Sequence, residues 1–264
     1  MKAEGIAVVT GASRGLGRAL AIEMARAGFE VVATMRDPDA GADLSNEVGG
    51  GGGGITVTRL DVTKPETIVL PEGLRVLVNN AGTEATYLPV EAVPMEDWRH
   101  VFETNFFGVM EVTRRAVPLI RTTGGGVICN ITSASLAMSV PFYGVYRASK
   151  AAVQTMGESL RAEVAPFGIR VVEIMPGPVD TEMLSNSARL PEAAEIPGYE
   201  SMAQSMYEGR SGVDPFITPA ATAAAAVLEA ILTDDGPLRS SCDRLGRMLL
   251  SGWQDDPEVS LNAK

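Results

Sequence analysis

Short, β-branched apolar runs alternate along this chain with longer stretches whose apolar residues recur at helical spacing. The pattern is typical of a parallel sheet wrapped by helices. The predicted strands are Ile6–Thr10, Phe29–Thr34, Ile55–Leu60, Arg75–Asn79, Gly126–Ile131 and Arg170–Ile174. The predicted helices are Gly15–Ala27, Met95–Arg121, Tyr143–Pro166 and Pro219–Thr233. We therefore expect an α/β fold with a doubly wound parallel β-sheet and helices on both faces. Ligands of such folds bind beyond the carboxyl ends of the strands.

Three segments depart from this alternation. Residues 49–54 are six consecutive glycines, which predict a flexible surface loop because glycine is a poor helix former. The connection between Asp61 and Val76 is near the minimum length for a crossover, so its helix can be only a turn or two. Residues 183–215 combine prolines, glycines and methionines with weak periodicity. We interpret this segment as a mobile substrate lid within a single domain that spans residues 1–264.

The charge balance excludes some classes of partner. The 264 residues include 22 basic and 33 acidic side chains, which gives a net charge of −11, and the basic residues form no run. This balance argues against nucleic acid or an anionic membrane as a partner. The most apolar predicted helix, at residues 220–232, is too short to span a bilayer and contains Glu229. No signal peptide is predicted before the first strand.

The few cysteines and the single histidine limit the chemistry further. Cys129 and Cys242 are the only cysteines, so neither a disulfide framework nor a paired-cysteine metal site is available. A reducing cytoplasm is therefore the predicted location. His100 is the only histidine, which excludes a histidine-rich zinc site. We predict no bound metal.

A glycine-rich turn joins the first predicted strand to the first helix. In the sequence TGASRGLG, residues 10–17, Gly11, Gly15 and Gly17 allow the backbone to turn sharply and to approach a pyrophosphate closely. The helix that follows supplies free amide donors and a favourable dipole. A merely tight strand-to-helix turn is the alternative, but the strand before and the helix after favour a dinucleotide site.

The end of the second strand bears on which dinucleotide binds. Uncharged Thr34 and Met35 stand where an acidic residue would favour the free 2′-hydroxyl of NAD. Arg36 follows, and Arg14 lies in the glycine turn; two guanidinium groups suit a 2′-phosphate, which they can pair with through two hydrogen bonds each. Asp37 comes next, so an ordinary solvated Arg36–Asp37 pair is the alternative. The residues favour NADP(H) over NAD(H).

The stretch YGVYRASK, residues 143–150, contains two tyrosines and a lysine. Lys150 lies four residues after Tyr146 and so on the same face of a helix, whereas Tyr143 is roughly 10 Å of helix rise away. Tyr146 is therefore the phenol that we expect the ammonium group to influence, lowering its pKa into the range useful for proton transfer. Tyr143 is predicted to line a substrate pocket. A surface packing pair is the alternative for Tyr146 and Lys150.

Ser133 lies just past the fifth predicted strand, in ICNITSAS. Its hydroxyl group can donate a hydrogen bond to a substrate carbonyl oxygen within reach of Tyr146. A simple turn residue is the alternative. Lid residues Met183, Tyr199 and Met206 suggest an adaptable apolar pocket.

Taken together, these motifs resemble the short-chain dehydrogenase/reductase family over nearly the whole chain. TGASRGLG is similar to the family's cofactor turn, NNAG at residues 79–82 to its fourth-strand signature, and YRASK to its YxxxK element. The stretches VVATMRD, PFYGVYRASK and VAPFGIRVVEIMPGPVDT resemble the branch that contains estradiol 17β-dehydrogenase type 1 and retinol dehydrogenases. That branch often prefers NADP(H) and takes lipophilic alcohols or ketones.

The resemblance implies a single-domain Rossmann fold and a role for each motif residue. Tyr146 would be the general acid/base, Ser133 would orient the carbonyl group, and Lys150 would hold the cofactor ribose and lower the pKa of the phenol. Asn105, in ETNFFG, matches the asparagine that organises a water-linked proton relay to the lysine. The implied substrate contacts are Ser133, Tyr143, Tyr146 and Met183. The implied cofactor contacts are Gly11, Ser13, Arg14, Gly15, Leu16, Gly17, Arg36, Asp61, Val62, Asn80, Ala81, Gly82, Tyr146, Lys150, Pro176, Gly177, Val179 and Thr181.

The expected activity is therefore an NADP(H)-dependent interconversion of a lipophilic secondary alcohol and a ketone or aldehyde. The alternatives are an NAD-dependent alcohol dehydrogenase of the same family and a non-catalytic NADP(H)-binding redox sensor. The resemblance also implies a homodimer or homotetramer that pairs through the helices around residues 100–120 and 146–165.

Overall fold

A single parallel sheet forms the centre of the computed structural model, which describes residues 1–49 and 52–255. The strands are β1 (Ile6–Thr10), β2 (Glu30–Met35), β3 (Ile55–Arg59), β4 (Leu74–Asn79), β5 (Gly126–Ile131), β6 (Ile169–Ile174) and β7 (Arg239–Ser240). They are hydrogen-bonded in the order β3-β2-β1-β4-β5-β6-β7, and every neighbouring pair is parallel. The strand order reverses between β1 and β4, so a crevice opens at their carboxyl ends.

Helices cover both faces of this sheet. They are α1 (Gly15–Ala27), α2 (Met95–Phe102), α3 (Gly108–Thr122), α4 (Gly144–Val164), α5 (Glu182–Asn186), α6 (Glu200–Gly209), α7 (Ala220–Leu232) and α8 (Arg244–Asp255). One core holds α1 and α7 against the sheet, and a second core holds α3 against the other face. Successive residues of β1 divide between these cores, since Ala7 and Val9 lie in the first and Val8 in the second. The predicted α/β doubly wound fold is confirmed.

The six predicted strands are present, but the sequence prediction missed a seventh. Strand β7 has only two residues, which is too short for a two-residue periodicity to be recognised in sequence. It extends the sheet by pairing with Glu173 and Ile174 of β6. The helix α8, which follows it, was also missed.

The helical predictions need three corrections. The predicted helix Met95–Arg121 is continuous, but a π-helical turn at Glu103–Phe107 separates α2 from α3. The helix predicted to reach Pro166 ends at Val164, because residues 165–167 form a 3-10 turn that Gly168 closes at φ 68°. The segment 183–215, predicted to have little regular structure, contains α6 and most of α5.

The last glycines of the run are more constrained than the predicted flexible loop. Gly50 and Gly51 lie outside the described residues. The amide of Gly53 donates to the carbonyl oxygen of Ala25 at 2.8 Å, and a Cβ atom on Gly53 would collide with the carbonyl oxygen of Phe29. This end of the run therefore packs against the carboxyl end of α1, where a side chain has no room.

The crossover between β3 and β4 is as short as predicted, with a single 3-10 turn at Pro65–Thr67. None of the helices in the described ranges combines the length and the apolar character needed to cross a membrane.

Candidate active site

A cavity of about 650 Å³ opens at the carboxyl ends of the central strands. Nearly all residues that the sequence singled out line it. They are Gly11, Ser13, Arg14, Gly15, Leu16, Gly17, Arg36, Asp61, Val62, Asn80, Ala81, Gly82, Ser133, Tyr143, Tyr146, Lys150, Pro176, Gly177, Val179, Thr181 and Met183. Asn105 is completely buried and lies behind the cavity wall.

The glycine turn is built for close contact. Gly11 and Gly15 have φ of 65° and 58°, a region that only glycine adopts readily. A Cβ atom on Gly11 would lie 2.8 Å from Cα of Ala81, and one on Gly17 would collide with the carboxamide of Asn80. Helix α1 begins here with no acidic residue in its first turn and no side chain capping it. Its free amide groups and the narrow glycine cradle fit the pyrophosphate of a dinucleotide.

The two arginines predicted for the 2′-phosphate differ in their contacts. Arg36 lines the cavity. The Asp37 carboxylate accepts from the amide of Asp39 at 3.2 Å and so caps the turn after β2. Arg14 instead pairs with Glu182 of α5, with 2.6 Å between Nη1 and Oε2. Both arginines line the cavity, as the sequence led us to expect, but the Arg14 guanidinium group already has a carboxylate partner.

Tyr146 and Lys150 lie one turn apart on α4, as the spacing predicted. Nζ of Lys150 is 5.9 Å from the centroid of the Tyr146 ring and donates to the carbonyl oxygen of Ile131, the last residue of β5, at 2.8 Å. Lys150 is only 5% exposed, and this burial lowers the pKa of its amino group to about 8, while the charge of Glu84 acts in the opposite direction.

The pKa of Tyr146 differs from the sequence-based expectation. Burial, together with the charge of Glu84, raises it above its usual value, and a hydrogen bond with Ser133 only partly opposes that rise. The predicted lowering by Lys150 is not observed, because the amino group is directed to a carbonyl oxygen and because burial penalises the phenolate. Tyr146 is therefore a neutral phenol at physiological pH.

Ser133 caps a turn, which is one of the two roles that the sequence left open, and it also lines the cavity. Its hydroxyl oxygen accepts from the amide of Ser135 at 3.2 Å, which caps the 3-10 turn after β5. The two serine hydroxyl oxygens are 2.9 Å apart, and the Ser133 hydroxyl also forms the hydrogen bond with Tyr146. A turn residue at the end of β5 is thus held where it can contact a substrate.

Asn105 connects two elements from within the π-helical turn. Its Nδ2 donates to the carbonyl oxygen of Thr83 at 2.9 Å and to Oγ of Ser149 at 3.0 Å, and its Oδ1 accepts from the amide of Thr83 at 2.8 Å. Ser149 immediately precedes Lys150, so the carboxamide fixes α4 relative to the loop after β4. A Cβ atom on Gly82 would lie 3.4 Å from both Oδ1 of Asn105 and Nζ of Lys150.

Comparison with known proteins identifies the family. Residues 5–191 match the model of the short chain dehydrogenase family. The uncharacterized oxidoreductase YusZ of Bacillus subtilis (strain 168) is 39% identical over 212 residues, which cover 77% of this chain and 74% of that protein. The chain belongs to the short-chain dehydrogenase family. It is an oxidoreductase, as the motifs predicted.

Two further similarities bear on this dehydrogenase. Retinol dehydrogenase 8 of Bos taurus is 33% identical over 201 residues, covering 72% of this chain and 64% of that protein, which agrees with the predicted resemblance to retinol dehydrogenases. A short chain dehydrogenase from Burkholderia cenocepacia J2315, solved in complex with NADP, is 29% identical with a TM-score of 0.77. The alignment covers 98% of this chain and 97% of that one.

Sequence reasoning missed a polar cluster in this dehydrogenase, formed by Glu84, Tyr87 and Tyr143. The rings of Tyr87 and Tyr143 stack with centroids 4.9 Å apart, and their hydroxyl oxygens are 3.3 Å apart. The Tyr87 hydroxyl donates to Oε2 of Glu84 at 2.7 Å. Glu84 and Tyr87 follow β4, so their position after a central strand was the available signal.

Residues 183–215 and α8 supply further parts of the wall of the dehydrogenase cavity. Met183 and Met206 line it as expected, whereas the Tyr199 hydroxyl donates to Glu91 at 2.9 Å on the exposed side. Leu245 and Leu249 of α8 also line the cavity. Their spacing of four residues on one helix was the signal that could have revealed them.

Proposed function

We propose that this short-chain dehydrogenase uses NADP(H) to interconvert a secondary alcohol and a ketone or aldehyde. The observation that carries the proposal is the grouping of Ser133, Tyr146 and Lys150 in the cavity that also contains the glycine turn. An alcohol–carbonyl interconversion needs a proton carrier and a hydrogen-bond donor beside the reacting oxygen, and this group supplies both.

The cofactor would lie along the glycine turn, with Arg36 beside the 2′-phosphate and Lys150 at the nicotinamide end. Arg36 lines the cavity, and the carboxylate of Asp37 is engaged in capping a turn, which supports the phosphorylated dinucleotide. The NADP complex of the related Burkholderia cenocepacia protein gives further support. Bound nicotinamide would supply or accept the hydride.

Tyr146 would carry the proton in this reaction. Its raised pKa keeps the phenol protonated at neutral pH, which suits donation to a carbonyl oxygen during reduction. Ser133 would donate a hydrogen bond to the same oxygen. Lys150 would stabilise the phenolate that forms as the proton leaves, and Asn105 would hold α4 in the position that this requires.

We further propose that residues 183–215 act as a substrate lid and that the substrate is largely lipophilic. Apolar side chains from the segment after β5, from the lid and from α8 support this, namely Met138, Val140, Met183, Met206, Leu245 and Leu249. Pairing into a homodimer or homotetramer and a cytoplasmic location are parts of the same proposal. The free thiols of Cys129 and Cys242 are compatible with a reducing compartment.

The test is to mix purified protein with NADPH and a panel of ketones and aldehydes and to follow the loss of nicotinamide absorbance. We expect turnover with at least one lipophilic ketone and a loss of at least about 100-fold in kcat for Tyr146→Phe. Tyr199→Phe removes a phenol hydroxyl outside the cavity and is the matched control. Equal turnover by Tyr146→Phe and the parent protein would refute the assigned role.

A further inference from the structure

We propose that Glu84 determines substrate specificity by accepting a hydrogen bond from a second donor group on the substrate, either a hydroxyl or an ammonium group. The inference rests on the proposed function and narrows its substrate class. The substrate would then have a lipophilic body, the reacting carbinol or carbonyl group, and one additional donor.

The first argument is where the carboxylate lies. Glu84 lines the same cavity as Ser133, Tyr143 and Tyr146. Its charge raises the pKa of the Tyr146 phenol and favours the charged form of Lys150. A substrate in contact with Tyr146 is therefore within electrostatic reach of the Glu84 carboxylate.

The second argument is that the carboxylate is held in a fixed position. The Tyr87 hydroxyl donates to it at 2.7 Å, and the Tyr87 ring is stacked on Tyr143. The backbone of Tyr87 is fixed as well, because its carbonyl oxygen accepts from the amide of Ala193 at 3.1 Å and its amide donates to Glu192 at 2.9 Å. A binding group held in this way loses little conformational entropy when a ligand arrives.

The third argument concerns the nearby positive charges. Arg189 lies 4.7 Å from the centroid of the Tyr87 ring and pairs with Glu192 at 3.1 Å. Arg210 donates to the carbonyl oxygen of Leu184 and to Oγ of Ser187 at 2.6 and 2.7 Å. Burial raises the pKa of the Glu84 carboxyl group above its ordinary value, and both guanidinium groups oppose that rise by favouring the ionised form. The hydrogen-bond partners named here for the two arginines lie within residues 183–215.

These contacts give the site a preference between substrates. A carboxylate accepts several hydrogen bonds, and Tyr87 supplies one. A purely apolar substrate would remove water from Glu84 without replacing its hydrogen bonds, which is costly for a buried carboxyl group. A substrate with a donor at that position would replace the lost water, and an anionic group would be repelled.

The test compares matched ketones that differ only in the second group. The series contains a parent ketone, hydroxy-ketones with the hydroxyl group at different positions, and their amino analogues. We expect the best donor-bearing ketone to exceed its parent in kcat/KM by on the order of 10- to 100-fold. In Glu84→Leu, the ratio of kcat/KM for the donor-bearing ketone to kcat/KM for its parent ketone should fall to about one or below. The reason is that kcat/KM rises for the parent ketone and falls for the donor-bearing ketone.

Further variants separate the two donors and control for structural damage. Glu84→Gln keeps an acceptor without the charge, so it should retain part of a preference for hydroxyl but lose a preference for ammonium. Tyr87→Phe removes the hydroxyl group that holds the carboxylate, so it should weaken the preference without abolishing it. Glu91→Gln removes an exposed carboxylate outside the cavity and should keep the preference. NADPH binding, measured by fluorescence, should be unchanged in these three variants and in Glu84→Leu.

The outcomes distinguish this inference from the proposed function. If the parent protein reduces ketones but Glu84→Leu and Glu84→Gln leave the ratio unchanged, the specificity role is overturned and the proposed function stands. If the parent protein reduces no ketone of the panel, the proposed function is overturned together with this inference.

Discussion

At the scale of single residues, burial decides the protonation states in the candidate active site. It raises the pKa of Tyr146 and lowers that of Lys150 to about 8. The i, i+4 spacing correctly predicted that both side chains share a helix face, but spacing contains no information on burial. The direction of the Tyr146 shift was therefore wrong in the sequence-based prediction, since only the folded environment determines it.

The pKa of Lys150 predicts how reduction depends on pH. Because this pKa is lowered to about 8, the amino group is protonated below pH 8 and loses its charge above it. We expect kcat/KM for ketone reduction to be constant from pH 6 to about 7.5 and to fall by up to about tenfold per pH unit above pH 8. The arginine of Lys150→Arg keeps its charge at all these pH values. The variant should be less active, but its kcat/KM should not decline above pH 8. An identical decline in the variant would show that another group causes the pH dependence.

Arg36 predicts the choice of dinucleotide. A guanidinium–phosphate contact contributes on the order of 1.5–3 kcal/mol, so Arg36→Ala should weaken NADPH binding by about 10- to 100-fold and leave NADH binding nearly unchanged. Fluorescence titration with both dinucleotides measures the ratio. Arg161→Ala, which removes an exposed arginine of α4, is the control. An unaltered ratio in Arg36→Ala would show that the 2′-phosphate is bound elsewhere.

At the scale of elements, regular segments were predictable and their interruptions were not. The strands β1 to β6 and the helices α1, α4 and α7 carry periodic apolar patterns, and the structure confirms them to within a few residues. No pattern of apolar residues in the sequence predicts the π-helical turn, because its extra residue is accommodated within a continuous helix. Strand β7 is defined by pairing with β6 rather than by its own two residues.

The pairing of β6 with β7 predicts a pH-dependent stability. Glu173 is fully buried in β6 and pairs with Arg239 of β7 at 2.9 Å. Burial outweighs this pairing and raises the pKa of Glu173 to about 7 from its ordinary 4.5. The folded state therefore binds this proton more tightly than the unfolded state. The contribution of Glu173 to stability is fully present below about pH 4.5 and is lost as pH rises to about 7.

The size of this effect follows from the pKa difference. The rise of the Glu173 pKa from 4.5 to about 7 corresponds to about 3 kcal/mol. Most of this amount should be seen as a decrease in the free energy of unfolding in urea between pH 5 and pH 8. Glu173→Gln cannot ionise, so its free energy of unfolding should decrease less between these two pH values than that of the parent protein. Equal decreases in the two proteins would contradict the assignment.

At the scale of the whole molecule, the proposed pairing of subunits can be tested at an exposed aromatic side chain. Phe107, in the π-helical turn, is 54% exposed and lies within the helices predicted to pair. We expect Phe107→Glu to shift the protein towards monomers in sedimentation velocity. Met248→Glu, at an equally exposed position (54%) on α8, should keep the parent assembly. A monomeric parent protein would exclude the proposal.

The cavity also shows where prediction from sequence ends at this scale. Motif residues such as Gly11 and Tyr146 were found because their chemistry requires a local spacing. Glu84 and Leu249 were missed because no local spacing links them to the motifs, and only the folded chain brings them to one cavity. The substrate contacts that we propose include residues of this second kind, so the reaction class is easier to predict than the substrate.

Two glycines of the glycine run, Gly49 and Gly53, differ in the space that a side chain would have. Apart from its chain neighbours, no described residue has an atom within 4 Å of the place where a Cβ atom on Gly49 would stand, and only its φ of 74° favours glycine. Four positions later, at Gly53, any larger residue would displace the backbone. Position 49 is therefore open to asparagine, whereas position 53 accepts no residue other than glycine. Neutral substitutions should therefore accumulate at Gly49 long before they occur at Gly53.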